Sequence, residues 1–207
     1  MKTKGEKTKE RILSAAISLF SRKGLDGTSV RAIARTVQMN EASLYNHFKG
    51  KEDLYNKVIQ VFTDELLISG IEPPDIETID LSAPLFELIR ADALRFFKRA
   101  GTKQARQIWR ILMTEQYRHK ATAEFVKNGV LKRPEAHLSG LIRELQQREK
   151  VKEEVDPATA GRTLASMFFY FSFSANLQVC WQGDAGKEWK VLEENLRFFC
   201  KQIERNT

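Results

Sequence analysis

Residues 28–48 constrain the fold most strongly, because they hold two short runs of apolar residues at helical spacing with a tight turn between them. The first run follows Thr28 and the second follows Asn40, and both residues are good N-caps. The apolar positions are Val30, Ile33, Ala34 and Val37 in the first run, and Leu44 and Phe48 in the second. With Gln38 and Met39 as the turn, this spacing predicts a helix-turn-helix.

The second helix is too short to be stable alone, and its apolar residues occupy only one side. Its outer face is therefore free to contact another molecule. That face carries small, polar and aromatic groups without charge: Ala42, Ser43, Tyr45, Asn46 and His47. Such groups suit base edges and phosphate oxygens in a DNA major groove. Taken alone, the pattern also fits two packed helices of any all-helical domain.

Residues 9–60 resemble the N-terminal DNA-binding domain of TetR-family transcriptional regulators. The matching segments are Ile-Leu-Ser-Ala-Ala at 12–16, Leu-Phe at 19–20, Lys-Gly at 23–24, Thr-Ser-Val-Arg-Ala-Ile-Ala at 28–34, Ser-Leu-Tyr-Asn-His-Phe at 43–48 and Lys-Glu-Asp-Leu at 51–54. The family often has Gly, at a left-handed helix end, where Gln38 stands, and Ser or Asn where Gly50 stands. The resemblance implies a DNA-binding domain at 1–60 and an effector-binding and dimerisation domain at 61–207.

The positive charge of the chain is concentrated in the first of these domains. The formal net charge is +7, and residues 1–60 hold 12 Lys and Arg against 6 Asp and Glu, whereas residues 61–207 hold 22 against 21. A basic surface on the helix-turn-helix domain is what DNA binding requires. A basic solubilising tail explains part of the same excess, through Lys2, Lys4, Lys7 and Lys9.

Helical periodicity predicts an all-α chain of about nine helices, with no strand pattern. Besides the helix-turn-helix, helices are expected at 9–22, from 51 onwards, and at 82–100, 102–118, 134–148, 157–181 and 187–205. The stretch 119–132 is expected to be mostly helical but less regular. Residues 1–8 are expected to be poorly ordered, and the acidic segment 70–80, which contains two prolines, is expected to be a solvated loop.

The segment 157–181 is the most apolar in the chain, but polar residues interrupt it before it reaches the ~18 apolar residues of a membrane span. A helix that is apolar nearly all round is more often buried in a core or an interface. The family resemblance implies that the last two helices pair with their copies in a second subunit. We therefore expect a homodimer that does not bind membranes. The charged N-terminus lacks a signal peptide, so we expect a cytoplasmic location.

The residues expected to read bases lie at the start of the second short helix and on the facing edge of the first. Arg31 can pair with guanine, unless it is only a solvated charge. Ala42 can pack against a thymine methyl, and Ser43 and Asn46 can hydrogen-bond base edges. Glu41 either accepts from cytosine or simply favours the helix N-terminus.

The resemblance implies phosphate contacts from Thr28, Tyr45, His47 and Lys51. Tyr45 follows an apolar position, so its exposure is expected to serve a partner of its hydroxyl. His47 alternatively packs against its neighbours. Both groups of contacts imply a double-stranded, roughly palindromic DNA operator, because one short helix makes too few contacts for a specific site and two copies are needed.

The larger domain is expected to bind a small, largely apolar or aromatic effector, since TetR-family members commonly bind an inducer there. Residues 82–181 supply many large apolar groups and a few polar ones, which is typical of a ligand site. The candidate lining is Phe86, Arg90, Phe97, Trp109, Arg110, Met113, Tyr117, Phe168, Phe171 and Asn176. The alternative is that the aromatic residues simply fill the core.

The sequence contains no catalytic, metal-binding or cofactor-binding motif, so we expect neither an enzyme nor a cofactor. Cys180 and Cys200 lie in apolar helical patterns, which favours buried reduced thiols over a redox pair. The expected function is a DNA-binding transcriptional regulator, a repressor that a small effector releases from its operator. A DNA-binding organiser or division factor on the same fold is the alternative.

Overall fold

A computed structural model describes residues 3–63, 82–181 and 186–205, with backbone only for 178–181. These residues form ten α-helices, one π-helical segment and no strand. The helices are α1 Lys4–Lys23, α2 Val30–Thr36, α3 Glu41–Tyr45, α4 Lys51–Phe62, α5 Leu85–Ala100, α6 Lys103–Glu115, α7 Lys120–Phe125, α8 Arg133–Gln147, α9 Pro157–Trp181 and α10 Gly186–Ile203, with the π-helical segment at Val126–Lys132.

The all-α class predicted from periodicity is confirmed. The stretch expected to be less regular contains α7 and the π-helical segment, so the described residues hold one helix more than the predicted nine. The predicted loop at 70–80 lies outside the described residues. Pro134 lies in the first turn of α8 and Asp156 accepts from the Thr159 N–H at the start of α9, as expected for these helix starts.

The first helix begins earlier than predicted. Residues 3–8 were expected to be poorly ordered, but α1 starts at Lys4 with Thr3 as its N-cap. The Thr3 hydroxyl accepts from the Glu6 N–H at 3.2 Å, and the Glu6 carboxylate accepts from the Thr3 N–H at 2.7 Å. This reciprocal pair is a capping box, whose Thr-x-x-Glu signature is visible in the sequence.

By packing, the chain divides into two compact units. The first comprises Met1–Leu66 with Gly101–Val126, and the second comprises Leu67–Ala100 with Lys127–Thr207. α6 and α7 therefore pack with the N-terminal helices, although the predicted domain boundary at residue 60 separates them. This division concerns packing alone, and the assignment of DNA binding to 1–60 and of effector binding and dimerisation to 61–207 stays a prediction.

α1 is the central helix of the first unit and packs against α2, α4 and α6. Its apolar residues at helical spacing are buried: Ile12, Ala15, Ala16, Leu19 and Phe20. The facing helices contribute buried residues at three- and four-residue steps, including Ile33 and Ala34 on α2, Leu54 and Val58 on α4, and Ile108 and Leu112 on α6. This shared core fixes where the helix-turn-helix lies on the unit.

The second unit is built from α5, α8, α9 and α10 around one hydrophobic core. α8 and α9 pack most closely, and Gly161 allows their approach: a Cβ there would lie 2.3 Å from the Ser139 backbone nitrogen. Cys200 is buried in this core, and burial raises the pKa of its thiol to about 12. The expected burial of Cys200 is confirmed, and the Cys180 side chain lies outside the described residues.

None of the described helices is both long enough and apolar enough to cross a membrane.

Candidate nucleic-acid interface

The seven-residue helix α2 is capped by Ser29, whose hydroxyl accepts from the Ala32 N–H at 3.1 Å. The prediction that Thr28 is this N-cap is wrong by one residue. Thr28 is only 2% exposed, and its hydroxyl donates instead to the Gly24 carbonyl at 2.8 Å. Because this hydroxyl is buried and already bonded, Ser29, which is exposed, replaces Thr28 as the candidate phosphate contact.

The turn after α2 is a Schellman motif, which satisfies the last carbonyls of the helix. Gln38 takes a left-handed conformation with φ 57°, and its N–H donates to the Arg35 carbonyl at 3.2 Å. The Met39 N–H donates to the Ala34 carbonyl at 2.9 Å. Gln38 therefore takes the left-handed conformation at a position where the family often has Gly, so this departure from the family pattern leaves the turn in place.

Asn40 caps α3 as predicted, accepting from the Ser43 N–H at 2.7 Å. α3 has only five residues, and it is anchored by Leu44, which is fully buried, and by Phe48 just beyond its end. Since these two anchors take all the buried positions, the rest of the helix surface stays open to a partner.

The predicted recognition residues lie on this open surface. Tyr45 is 51% exposed, and Ala42 and Asn46 are also exposed, whereas Ser43 and His47 are half-buried. The aromatic ring and hydroxyl of an exposed tyrosine can pack on a sugar and donate to a phosphate. The half-burial of His47 is compatible with both of its predicted roles.

α2 lies next to α3 and adds charge to the same surface. The Arg31 Nε atom lies 3.9 Å from Glu41 Oε1, so the structure brings together two residues that the sequence assigned to base reading. Their side chains are 86% and 47% exposed. An ion pair this exposed contributes little to stability, because water screens it. Both groups therefore remain available to DNA.

Two adjoining surface depressions, of about 810 and 470 Å³, run beside this helix pair and share Lys23, Ser29, Arg31 and Ala32. We call their combined lining the basic groove. Its charged residues are the cations Lys23, Arg31, Arg35 and Lys51 and the acids Asp26 and Glu41. Sequence reasoning missed Lys23, Ser29 and Arg35. Arg35 was discoverable, because it lies four residues after Arg31 and hence on the same helix face.

Lys51 opens α4 at the edge of the basic groove. Its ammonium donates to the Leu25 carbonyl at 3.0 Å, which ties α4 to the loop between α1 and α2. The side chain is half-buried and still lines the groove. This position agrees with the phosphate contact that the resemblance implies for Lys51.

A buried polar cluster lies behind the loop in the first unit. Glu115 on α6 is 1% exposed and accepts from the Leu25 N–H at 3.0 Å. The Tyr55 hydroxyl and the Thr122 hydroxyl are 2.7 Å apart. Burial raises the pKa of Tyr55 to about 12, against the opposing effect of the Thr122 hydrogen bond. Tyr55 therefore stays a neutral hydrogen-bonding group across the physiological pH range.

The candidate effector residues divide between the two units. Trp109, Arg110, Met113 and Tyr117 belong to the first unit. Trp109 and Met113 are half-buried, Arg110 is exposed, and Tyr117 is 88% exposed. The remaining six belong to the second unit.

Within the second unit, Phe86, Phe168 and Phe171 are part of the packed core. This packing favours the alternative role that the sequence left open for the aromatic residues. Phe97 is half-buried, with its ring centroid 5.8 Å from that of Phe168, and it also lines a surface pocket of about 550 Å³ with Trp189.

The polar candidates of the second unit are engaged within the unit. Arg90 Nε donates to the Glu193 carboxylate, and this bond raises the pKa of the guanidinium. The Asn176 amide donates to the Ser172 carbonyl at 2.7 Å. Arg90 therefore brings little uncompensated charge to a ligand.

The helix-turn-helix region is similar in sequence to known proteins. Residues 12–58 match a family described as bacterial regulatory proteins, tetR family. The HTH-type negative transcriptional regulator IcaR of the biofilm operon icaADBC, from Staphylococcus epidermidis, is 44% identical over 52 residues, which are 25% of this chain and 28% of that protein. The match thus spans less than a third of the relative's length and concerns the helix-turn-helix domain.

Solved structures resemble the whole chain. A TetR family transcriptional regulator from Pseudomonas syringae pv. tomato has a TM-score of 0.71 at 20% identity, over 100% of both chains. Salmonella enterica GusR has a TM-score of 0.69 at 22% identity, over 96% of this chain and 98% of its own. At this level of identity the similarity establishes the fold, including the helices beyond the region that matches in sequence.

Proposed function

Because this chain belongs to the tetR family of bacterial regulatory proteins, we propose that it represses transcription by binding a specific operator and releases it when a small effector binds. The open surface of α3 beside the basic groove carries this proposal. α3 has the size and the side chains to enter a major groove, and the flanking cations lie where phosphates would pass. The name of IcaR, a negative regulator, supports repression over activation.

The contacts divide into those that read bases and those that hold phosphates. Arg31, Ala42 and Asn46 are exposed at the centre of the surface and would contact base edges, with Ser43 and Glu41 beside them. The phosphate contacts would come from Tyr45, His47 and Lys51, joined by Ser29 and the groove cations Lys23 and Arg35. Phosphate contacts fix the register, and the base contacts then set the preferred sequence.

A homodimer would present two such surfaces to a palindrome. On α9, Tyr170, Phe173 and Leu177 are 63%, 41% and 49% exposed and share one face, because they recur at three- and four-residue steps. On α10, Val191 and Phe198 are 44% and 68% exposed and are seven residues apart. Exposed apolar residues aligned on two helices support a partner surface, which we assign to a second copy of the chain.

The effector would be neutral or cationic, and largely apolar or aromatic. Arg90 is paired with Glu193, and Arg110 is exposed, so neither supports a buried binding site for an anion. A ligand that prefers a domain shape unsuited to two adjacent half-sites would lower DNA affinity by the ratio of its affinities for the two shapes. We place the protein in the cytoplasm and assign it no catalytic activity.

Binding to the DNA upstream of its own and neighbouring genes tests the proposal. We expect the dimer to bind one of these fragments, with a log–log salt slope of roughly −5 to −9 if about 6–10 phosphates are contacted. Thermal-shift screening of neutral and cationic compounds with aromatic or apolar groups, followed by a DNA-release assay, tests the effector. A slope near zero would contradict the proposal, and many dispersed genomic sites would favour a DNA organiser instead.

A further inference from the structure

The peptide groups next to Leu25 are held on both sides by charged groups. The Leu25 N–H donates to Glu115 Oε1 at 3.0 Å, and the Leu25 carbonyl accepts from Lys51 Nζ at 3.0 Å. The same loop is closed by the bond between the Thr28 hydroxyl and the Gly24 carbonyl at 2.8 Å. This loop leads directly into Ser29, the N-cap of α2. The buried Glu115 carboxylate on α6 therefore supports the loop that contacts two parts of the proposed DNA surface, Lys51 and the N-terminus of α2.

The loop and the carboxylate fit each other closely. Gly24 has φ 74°, a conformation that favours glycine, and a Cβ there would lie 2.9 Å from Glu115 Oε1. A larger residue at position 24 would displace the end of the Glu115 side chain and would strain the backbone. The absence of a side chain at Gly24 thus leaves room for the carboxylate that accepts from the Leu25 N–H.

Burying the Glu115 carboxylate only to bond one backbone N–H is energetically unfavourable. Its side chain is 2% exposed, and a buried carboxylate pays a desolvation penalty unless it is well paired. Its second oxygen lies 3.2 Å from His119 Nε2, which gives an ion pair only when the histidine is protonated, and the two atoms form no hydrogen bond. A polar group so incompletely paired contributes less to stability than a fully bonded one. Stability alone therefore gives a weak reason for this residue.

We propose that Glu115 is a positioning residue for DNA binding, and this inference rests on the proposed function. By fixing Leu25, it fixes the carbonyl that holds the Lys51 ammonium at the edge of the basic groove. An ammonium has three N–H groups, so the bond to Leu25 leaves two for a phosphate. A lysine held in advance loses less side-chain entropy when it binds.

Three substitutions at Glu115 separate the effect of side-chain length from the effect of charge. Glu115→Gln keeps an oxygen at the distance of the Leu25 N–H but removes the charge. Glu115→Asp keeps the charge but is one methylene too short, and Glu115→Leu removes both. Affinity is measured for a labelled, mixed-sequence duplex of about 30 base pairs, roughly three helical turns. This probe reports phosphate contacts without knowledge of the operator.

We expect Glu115→Asp and Glu115→Leu to bind about tenfold more weakly per folded molecule, and Glu115→Gln to stay within about threefold of the wild type. If Glu115→Leu does not fold, the comparison of Gln with Asp carries the test. Combining the defective variant with Lys51→Ala should add little to the loss from Lys51→Ala alone, because both changes remove the same contact. Losses that multiply in the double variant would overturn the proposal.

Asp92→Asn is the matched control, because Asp92 is a buried carboxylate whose partners, Arg95 and His137, belong with it to the second unit. It should lower the melting temperature without changing affinity per folded molecule. If Glu115→Asp behaves in the same way, Glu115 is structural only and the inference is wrong. A wild-type protein that does not bind the duplex at low salt would refute the proposed function, and the inference falls with it.

Discussion

The Arg31 guanidinium on α2 and the Glu41 carboxylate at the start of α3 lie 3.9 Å apart on the surface of the helix-turn-helix. The pair joins the two helices that flank the predicted site of DNA contact. Because both side chains are well exposed, Arg31 can exchange Glu41 for a guanine at little energetic cost. In the absence of DNA, Glu41 keeps the guanidinium close to α3, the helix predicted to read the bases.

Arg31→Ala should relax sequence preference at one position in each half-site. The expected cost is about 1–3 kcal/mol for each lost bidentate pair with guanine. Lys51→Ala should instead weaken binding to all sequences about equally, because a phosphate contact carries no base information. Competition binding with an operator substituted one base pair at a time distinguishes these outcomes.

Glu41→Gln is the control for this comparison, because it breaks the ion pair and leaves Arg31 in place. It should retain the preference at the Arg31 position. A uniform loss of affinity with Arg31→Ala would show that Arg31 is a solvated or phosphate-binding charge rather than a base reader.

Ser29 offers a test that separates helix capping from DNA binding. Ser29→Ala removes the cap of α2 and should lower the free energy of unfolding by about 0.5–2 kcal/mol. Ser29→Asp restores a good cap, so its stability should stay close to the wild type, but it adds a negative charge to the basic groove. We therefore expect Ser29→Asp to fold normally and to bind DNA more weakly than wild type. Thermal melts and DNA titrations measure the two effects independently.

A Ser29→Asp variant with unchanged DNA affinity would mean that phosphates do not pass this end of α2. Equal stability of Ser29→Ala and the wild type would mean that the cap contributes nothing, in contrast to the 3.1 Å bond to Ala32.

Asp92 gives a pH dependence with a defined sign. Asp92 is 4% exposed, and burial by itself would raise the pKa of its carboxyl group. His137, whose Nε2 is 3.3 Å from Oδ2, and Arg95, 2.8 Å from Oδ1, outweigh burial and hold that pKa below its ordinary value. The carboxylate therefore stabilises the folded state above the unfolded pKa, about 3.9. This contribution is lost as the pH falls through the lowered folded pKa.

Asp92→Asn should consequently cost about 1–3 kcal/mol of stability at neutral pH. The difference from the wild type should narrow below about pH 4, where the unfolded wild-type chain begins to bind a proton at this carboxyl group before the folded protein does. Melting temperatures of both proteins across the acid range measure this difference. The other acidic residues titrate alike in both proteins, so their effect cancels in the comparison. A difference that widens towards low pH would contradict the assigned direction of the pKa shift.

The helix-turn-helix was predictable because its determinants are local. Asn40 and Leu44 act on residues three or four positions away, so one short segment contains the whole pattern. Thr28 was misassigned because two adjacent hydroxyl residues both suit an N-cap, and only the packing of Thr28 against the loop decides between them. The Thr3–Glu6 capping box is equally local, so the early start of α1 could also have been predicted from the sequence.

The buried polar partners were not predictable, because their contacts are distant in sequence. Glu115 reaches Leu25 across 90 positions, and Asp92 reaches His137 across 45. On α5 and α6 these acids occupy positions that a helical pattern assigns to the buried face, where a charge ordinarily contradicts the pattern. Only the folded chain supplies the partner that makes such a charge tolerable.

The last prediction concerns the exposed apolar residues of the two terminal helices. Phe198→Glu introduces a charge where α10 presents a 68% exposed ring. If this face packs against a second copy, each dimer would bury two unpaired carboxylates, so the variant should be monomeric at concentrations where the wild type is dimeric. A monomer presents one α3 instead of two, so operator affinity should fall steeply while the helix content stays unchanged. Leu131→Glu changes a 43% exposed residue on the π-helical segment and should remain dimeric. Sedimentation equilibrium measures both variants, and a dimeric Phe198→Glu protein would move the predicted interface away from α10.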